Sequence, residues 1–335
     1  MHQVRQLPAE VQIRRRGEGL KKEGVYPVAN VTLTIDGQKV TVPAGATVLE
    51  AARQAGIFIP TLCHDPDFPG FGACRLCIVE IPGMRNLPAS CVTAAAEGMT
   101  VYTASEAVIE ARRTILDLLL ANHPLDCLTC AKNGDCRLQD YCFLYGVGQT
   151  GFPGEKKNYP LDDSNPYIIR DQNKCILCGR CVRTCQAVAE RSVIDFGYRG
   201  FQTKIVTAMD TALAESECVY CARCVAVCPV GALTYKPLAG KGRTWEITRQ
   251  EVTCTFCDAG CKFDLNVKGG KVIGITAKAP APGRPLCLKG RLGLELRYVD
   301  EPLTPMLKKE GEFVPVSWAE ALGLEGLLEK LGQKN

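Results

Sequence analysis

The segment KCILCGRCVRTC, Lys174 to Cys185, is followed further along the chain by ECVYCARCVAVCP, Glu217 to Pro229. Both carry Cys-x2-Cys-x2-Cys-x3-Cys: first Cys175, Cys178, Cys181 and Cys185, then Cys218, Cys221, Cys224 and Cys228. Thiols separated by two or three residues on tight turns converge on a point, whereas a disulfide framework requires no such local interval. The whole chain has 335 residues, 20 cysteines and a formal net charge of +4. A cysteine content this high marks either a secreted disulfide scaffold or a metal protein of a reducing compartment. Met1 to Glu23 is polar and basic, with Arg14-Arg15-Arg16 and Lys21-Lys22, and no apolar run follows it, so it does not read as a secretory signal. The apolar stretch Ile115 to Ala121 is too short to span a bilayer. The expectation is a cytoplasmic protein that uses neither membrane nor nucleic acid, since so small a charge imbalance calls for neither.

Iron–sulfur clusters draw their thiolates from such intervals, and the tandem is similar to the bacterial two-cluster ferredoxin run, whose fourth cysteine ligates the other cluster. The expected ligand sets are Cys175, Cys178, Cys181 and Cys228 for one [4Fe–4S] cluster, and Cys218, Cys221, Cys224 and Cys185 for a second. Two departures, Gln186 in place of a proline and the longer insertion Arg191 to Glu217, touch no ligand.

Nineteen of the twenty cysteines fall into five groups of this kind. Upstream of the tandem, Val31 to Ile35 alternates like a strand, Asp36-Gly37 marks a hairpin, Val40 to Val42 returns, and Thr47 caps a short helix, Val48 to Ala55. The loop TLCHDPDFPGFGACRLCIVE follows, and with SCVT it supplies Cys63, Cys74, Cys77 and Cys91. The pattern resembles a ubiquitin-like β-grasp ferredoxin. The group resembles the [2Fe–2S] site at the start of the large peripheral subunit of respiratory complex I and of iron-only hydrogenases. A structural zinc is the alternative.

Glu106 to Asn122 reads as a helix with Val108, Ile109, Ile115, Leu116, Leu119 and Leu120 on one face. It delivers HPLDCLTCAKNGDC, with His123, Cys127, Cys130 and Cys136, which looks like the His/Cys3-ligated [4Fe–4S] site of the same two families. Imidazole in place of thiolate makes a site less negative and raises its potential. Cys142 belongs to no group and reads as a buried structural thiol. GVGQTG at Gly146 has no strand before it and reads as a turn.

The fifth group is Cys254, Cys257, Cys261 and Cys287, around a hairpin Lys268-Gly269-Gly270-Lys271 joining Phe263 to Val267 and Val272 to Thr276. It resembles the [4Fe–4S] domain that opens molybdenum or tungsten bis-pterin enzymes such as formate dehydrogenase, in which the position of Lys289 lies between cluster and pterin. The chain ends at Asn335, so no pterin domain, no flavin site and no catalytic residues are expected in it.

The fold class that follows is α+β and modular. A basic arm (1–29) precedes a β-grasp [2Fe–2S] domain (30–105) and a helical His/Cys3 [4Fe–4S] domain with linker (106–165). A two-[4Fe–4S] ferredoxin domain (166–240), a molybdopterin-oxidoreductase-type [4Fe–4S] domain (241–300) and a tail (301–335) complete it. What the resemblance implies is an electron-relay subunit with one [2Fe–2S] and four [4Fe–4S] clusters, similar to the truncated subunit of electron-bifurcating NADH-dependent ferredoxin:NADP transhydrogenases. The implied partners are an FMN/NAD(H)-binding flavoprotein, a thioredoxin-like [2Fe–2S] subunit, an FAD/NADP(H)-binding subunit and ferredoxin. The alternatives are an electron-transfer subunit of a formate dehydrogenase or hydrogenase whose catalytic domain is on another chain, and a zinc-ribbon scaffold.

Overall fold

The computed structural model describes residues 29–278, 287, 294, 295, 297–299, 305–309, 312–321 and 323. The basic opening segment to residue 28, Lys289 and the end of the chain lie outside the described residues.

Asp36 and Gly37 both take positive φ, +47° and +84°, the backbone that a two-residue hairpin with right-twisted strands requires. They join β1 (Asn30–Ile35) to β2 (Gln38–Pro43), with Ile35 opposite Gln38 and Asn30 opposite Pro43. Thr47 then starts α1 (Val48–Gln54) through a capping box with Glu50, two orphan N–H groups being satisfied reciprocally. β3 (Thr100–Val101) adds to β1 in parallel, giving the order β2-β1-β3. The inward residues Leu33, Ile35, Val40 and Val42 pack on Val48, Leu49, Ala51 and Ala52 of α1, and Cys77 and Cys91 belong to the same core.

α2 (Glu106–Ala121) buries Val108, Leu116 and Leu120, with Ile109, Ile115 and Leu119 partly buried beside them. α3 (Arg137–Tyr145) follows and is closed by Gly146 at φ +68°, so the GVGQTG segment opens as the cap of a helix. Leu62 and Leu76 from the first cysteine loop, Leu116, Leu120, Leu138 and Cys142 from the helices, and Val230 and Ala232 from beyond the tandem form one core. Cys142 is thereby the buried thiol expected; burial pushes it up to about 12, and it stays protonated.

The tandem forms two short antiparallel pairs. β4 (Ile168–Arg170) pairs with β7 (Leu233–Tyr235), and the insertion folds as its own hairpin, β5 (Ile194–Gly197) with β6 (Lys204–Thr207). Between them lie α4 (Arg180–Arg183), continued by a π-helical turn, and α5 (Arg223–Val227).

Next comes a three-stranded sheet, β8 (Thr248–Thr253), β9 (Lys262–Lys268) and β10 (Lys271–Ala277), in the order β10-β9-β8. The β9–β10 hairpin matches the sequence expectation; β8 does not show in the sequence because Thr-Arg-Gln-Glu-Val-Thr has little apolar character. β11 (Met306–Lys309) and β12 (Glu312–Pro315) form a last hairpin. Among the described residues no helix is long and apolar enough to cross a membrane.

Candidate iron–sulfur cluster sites

None of the cysteines is in a disulfide. In the first loop Cys63, Cys77 and Cys91 are buried and Cys74 is half-buried. Cys63 and Cys74 exchange backbone N–H···S bonds, each 3.4 Å. Hydrogen bonds from Cys63 and Cys91 hold Cys74 and Cys77, respectively, below the usual thiol range, and the donating partners are pushed above it. The loop closes tightly. A Cβ on Gly70 would overlap the Cys91 carbonyl oxygen.

The helix α2 ends at Asn122 and places His123 in the interior. Burial lowers the His123 pKa, which favours the neutral imidazole that binds metals. Cys127 and Cys130 follow on a turn in which the Cys130 N–H donates to the Asp126 carbonyl at 3.0 Å, and Cys136 is the N-cap of α3. This loop rests on the tandem, for a Cβ on Gly231 would meet the Cys130 Sγ at 2.7 Å. Lys174, next to Cys175, binds Asp126 at 2.8 Å and Asp171 at 3.3 Å across the same junction.

All eight tandem cysteines line one cavity. Leu177 and Gly179 in the first run, and Tyr220 and Ala222 at the same positions of the second, have positive φ between +53° and +71°. Alternating left-handed residues turn successive N–H groups inward as an anion-binding concavity. Accordingly, the Leu177 N–H lowers the Cys175 thiol and the Tyr220 N–H that of Cys218, against the larger upward push of burial. Burial raises Cys181 and Cys224 well above the ordinary thiol value, and neighbouring thiols raise them further. The neighbours cross over: Cys228 acts on Cys175, Cys178 and, ahead of Cys224, on Cys181, while Cys185 acts on Cys218 and, ahead of Cys228, on Cys224.

In the last group Cys254 is buried and its N–H donates to the Cys261 carbonyl at 2.8 Å. Cys257 and Cys287 are exposed. The residues flanking Cys287 lie outside the described ones.

Four buried side-chain polar atoms have no hydrogen-bond partner among the described residues: His64 Nδ1, Arg183 Nε, Thr184 Oγ1 and Arg223 Nε. Arg53 donates to His64 Nε2 at 2.7 Å, so Nδ1 carries the proton. Each of the four stands one or two residues from a cysteine, beside Cys63, Cys181, Cys185 or Cys224. Buried donors in proteins are almost always paired. Donors gathered at cysteine loops fit a bound group that accepts hydrogen bonds through sulfur, as an iron–sulfur core does. No three His, Cys, Asp or Glu side chains among the described residues converge as a single metal ion would require.

Three arginines escaped the sequence reading. Arg112 of α2 donates to the Leu76 and Ile78 carbonyls at 3.1 and 2.8 Å, and to Tyr145 Oη at 2.9 Å. Arg180 binds Asp65 at 2.8 Å. Arg183 donates to the Cys63 carbonyl at 2.6 Å and the Pro69 carbonyl at 3.2 Å, and its guanidinium lies over the rings of Phe68 and Phe71. No local pattern marks them, because each partner lies at least thirty-three residues away.

Family models match along the chain in the same succession. Residues 28–106 match a 2Fe-2S iron-sulfur cluster binding domain, and 112–150 the NADH-ubiquinone oxidoreductase-G iron-sulfur binding region. Residues 174–232 match a 4Fe-4S dicluster domain, and 248–298 the molybdopterin oxidoreductase Fe4S4 domain. The chain is 40% identical to a G-type subunit of the NADH-quinone oxidoreductase of Rhizobium meliloti, over 87% of this chain and 34% of that protein. It is 35% identical to the NADPH-Fe(3+) oxidoreductase alpha subunit of Geobacter sulfurreducens, over 88% of this chain and 34% of that one. The chain thus spans about a third of the length of these curated relatives. A chain of the crystal structure of an NAD+-reducing [NiFe]-hydrogenase in the H2-reduced state is 37% identical, with a TM-score of 0.58, covering 62% of this chain and 88% of that one. With the order of its cysteine units, their folds and these similarities all in agreement, the chain belongs to the family of iron–sulfur subunits typified by the G, or 75 kDa-type, subunit of NADH-quinone oxidoreductase.

Proposed function

We propose that this chain is the electron-relay subunit of a cytoplasmic NAD(P)H-linked oxidoreductase, carrying single electrons between a flavoprotein and ferredoxin or a second redox subunit. The observation that carries this reading is one shared apolar core, in which Cys74, Cys136, Cys175 and Cys228 pack as partly buried members. Cysteines from three folding units therefore stand around the same few leucines. Such an arrangement suits short, fixed steps between redox centres.

Clusters held there would supply one-electron chemistry without making or breaking a substrate bond. The residues assigned to hold the [2Fe–2S] cluster are Cys63, Cys74, Cys77 and Cys91. Those for the [4Fe–4S] clusters are His123 with Cys127, Cys130 and Cys136; Cys175, Cys178, Cys181 and Cys228; Cys218, Cys221, Cys224 and Cys185; and Cys254, Cys257, Cys261 and Cys287. The crossed neighbours in the tandem support the exchange of Cys185 and Cys228. The inward N–H groups and the apolar cavity hold thiolates in place and keep water away from them.

Membership of the family supports an FMN/NAD(H)-binding flavoprotein and a thioredoxin-like [2Fe–2S] subunit as partners. An FAD/NADP(H)-binding subunit and electron bifurcation are the finer reading. The likeness to the NAD+-reducing [NiFe]-hydrogenase chain favours a second reading, an electron-transfer subunit serving a hydrogenase on another chain. Iron and acid-labile sulfide analysis should give about 18 irons per chain, and copurification of the native complex should separate the two readings. A zinc-loaded, colourless protein would overturn both.

A further inference from the structure

The loop that carries Cys63, Cys74 and Cys77 is gripped from outside its own β-grasp unit by two arginines, and neither ends on a carboxylate. Arg112, only 2% exposed, donates to the carbonyls of Leu76 and Ile78, the residues on either side of Cys77, and to the Tyr145 hydroxyl. Arg183 donates to the carbonyls of Cys63 and Pro69 and lies against two aromatic rings. Neither forms an ion pair with a carboxylate among the described residues. Asp65, the carboxylate that feels Arg183, is already bonded through Nε and Nη2 to Arg180.

A cation taken out of water is costly unless a counter-charge offsets it. The carbonyls accept from Nη groups of both arginines, leaving Arg183 Nε without a partner among the described residues, and they supply no net charge. Four cysteine thiolates around an iron–sulfide core would be net negative, and one added electron makes them more so. That is the missing counter-charge, and it stands at the residues whose carbonyls the two arginines hold.

We propose that Arg112 and Arg183 are positioning residues whose uncompensated charges raise the reduction potential of the [2Fe–2S] site. The inference rests on the cluster assignment made above. Arg180, neutralised by Asp65, has no such role, and the three arginines thereby divide into one structural anchor and two charge donors.

The test is an EPR-monitored redox titration of the [2Fe–2S] signal in the purified holoprotein. At the potential where half of this signal is present in the unaltered protein, Arg112→Gln is expected to lower the ratio of reduced to oxidised site about tenfold, a downward shift of about 59 mV for one electron. Arg112→Lys, which keeps the charge, and Tyr145→Phe, which removes a hydrogen bond but no charge, should stay within about twofold of the unaltered ratio. Arg183→Gln, at a half-buried position, should move the ratio in the same direction and carries the test if Arg112→Gln does not assemble. An unchanged ratio in the assembled glutamine variants, or an equal fall in Tyr145→Phe, overturns the proposal. Absence of any [2Fe–2S] signal from the unaltered protein instead overturns the cluster assignment.

Discussion

Arg180 and Asp65 meet across 115 residues of sequence, with Nε at 3.2 Å and Nη2 at 2.8 Å from one carboxylate oxygen, and both side chains are almost fully buried. The pair joins the loop after Cys63 to the helix that starts between Cys178 and Cys181. Together with Arg183 it fixes how the β-grasp unit sits on the tandem. Losing one member leaves the other charged and buried, which costs about 3–5 kcal/mol, whereas replacing both by apolar groups costs far less. Asp65→Ala is therefore expected to lower the thermal midpoint of the holoprotein by more than the double substitution Asp65→Leu/Arg180→Met. A double variant as unstable as the single one contradicts this account.

Gly70 approaches the Cys91 carbonyl too closely for any side chain. Gly70→Ala should force the loop apart, cost about 1–3 kcal/mol as an overpacking change, and reduce the [2Fe–2S] absorbance. Gly148, which has nothing within 4 Å of a built Cβ, is the matched control, and Gly148→Ala should leave the spectrum alone. Equal spectra for the two variants would refute the close-packing argument.

His123 is buried at the end of α2 and kept neutral there. His123→Cys should retain the iron content and lower the potential of one [4Fe–4S] signal, because thiolate adds negative charge. His123→Ala should reduce the iron count to about 14 per chain. Retention of full iron by His123→Ala would remove the histidine from the ligand set.

Asp162 holds β4 to the insertion. It accepts from Arg170 Nη2 at 2.9 Å, the Leu213 N–H at 3.0 Å and the Ser164 hydroxyl at 2.6 Å. Burial raises its pKa, but these hydrogen bonds outweigh that and hold it below the ordinary value. A carboxyl depressed in the folded state contributes its stability above the unfolded pKa of ~3.9 and loses it as pH falls through the lower folded value. Asp162→Asn should therefore flatten the acid limb of urea midpoints below about pH 4. An acid limb as steep as that of the unaltered protein would rule this out.

The β-grasp unit and the tandem should respond differently to chelation. The first has an aliphatic core of its own, built from Leu33, Ile35, Val40, Val42, Val48 and Leu49. The core of the second is surrounded by Cys175, Cys185, Cys218, Cys224 and Cys228, thiols whose ordering depends on a bound group. After iron removal, hydrogen exchange should become fast across residues 168–235 while β1, β2 and α1 stay protected. Equal protection in both segments would show that the tandem folds without its clusters.

Local patterns made much of this architecture legible. Asp36-Gly37 and Thr47-x-x-Glu50 act within a few residues of themselves, so the hairpin and the capped helix could be read directly. The Cys-x2-Cys and Cys-x3-Cys intervals are equally local, since they lie within single turns. β8 was not legible because its partner β9, and not its own residues, makes it a strand. α3 was hidden for a related reason: Leu138 and Cys142 face a core assembled from three distant segments.

The sequence by itself determined how the cysteines are spaced and grouped along the chain, because an interval is a property of the local chain. Only the tertiary structure decided how those groups are set against one another. Asp65 with Arg180, Cys63 with Arg183, Leu76 with Arg112 and Cys130 with Gly231 are joined by fits of charge and shape between segments far apart in the chain. Such fits leave no interval to read, since the energy of a buried pair depends on what surrounds both partners once the chain has folded.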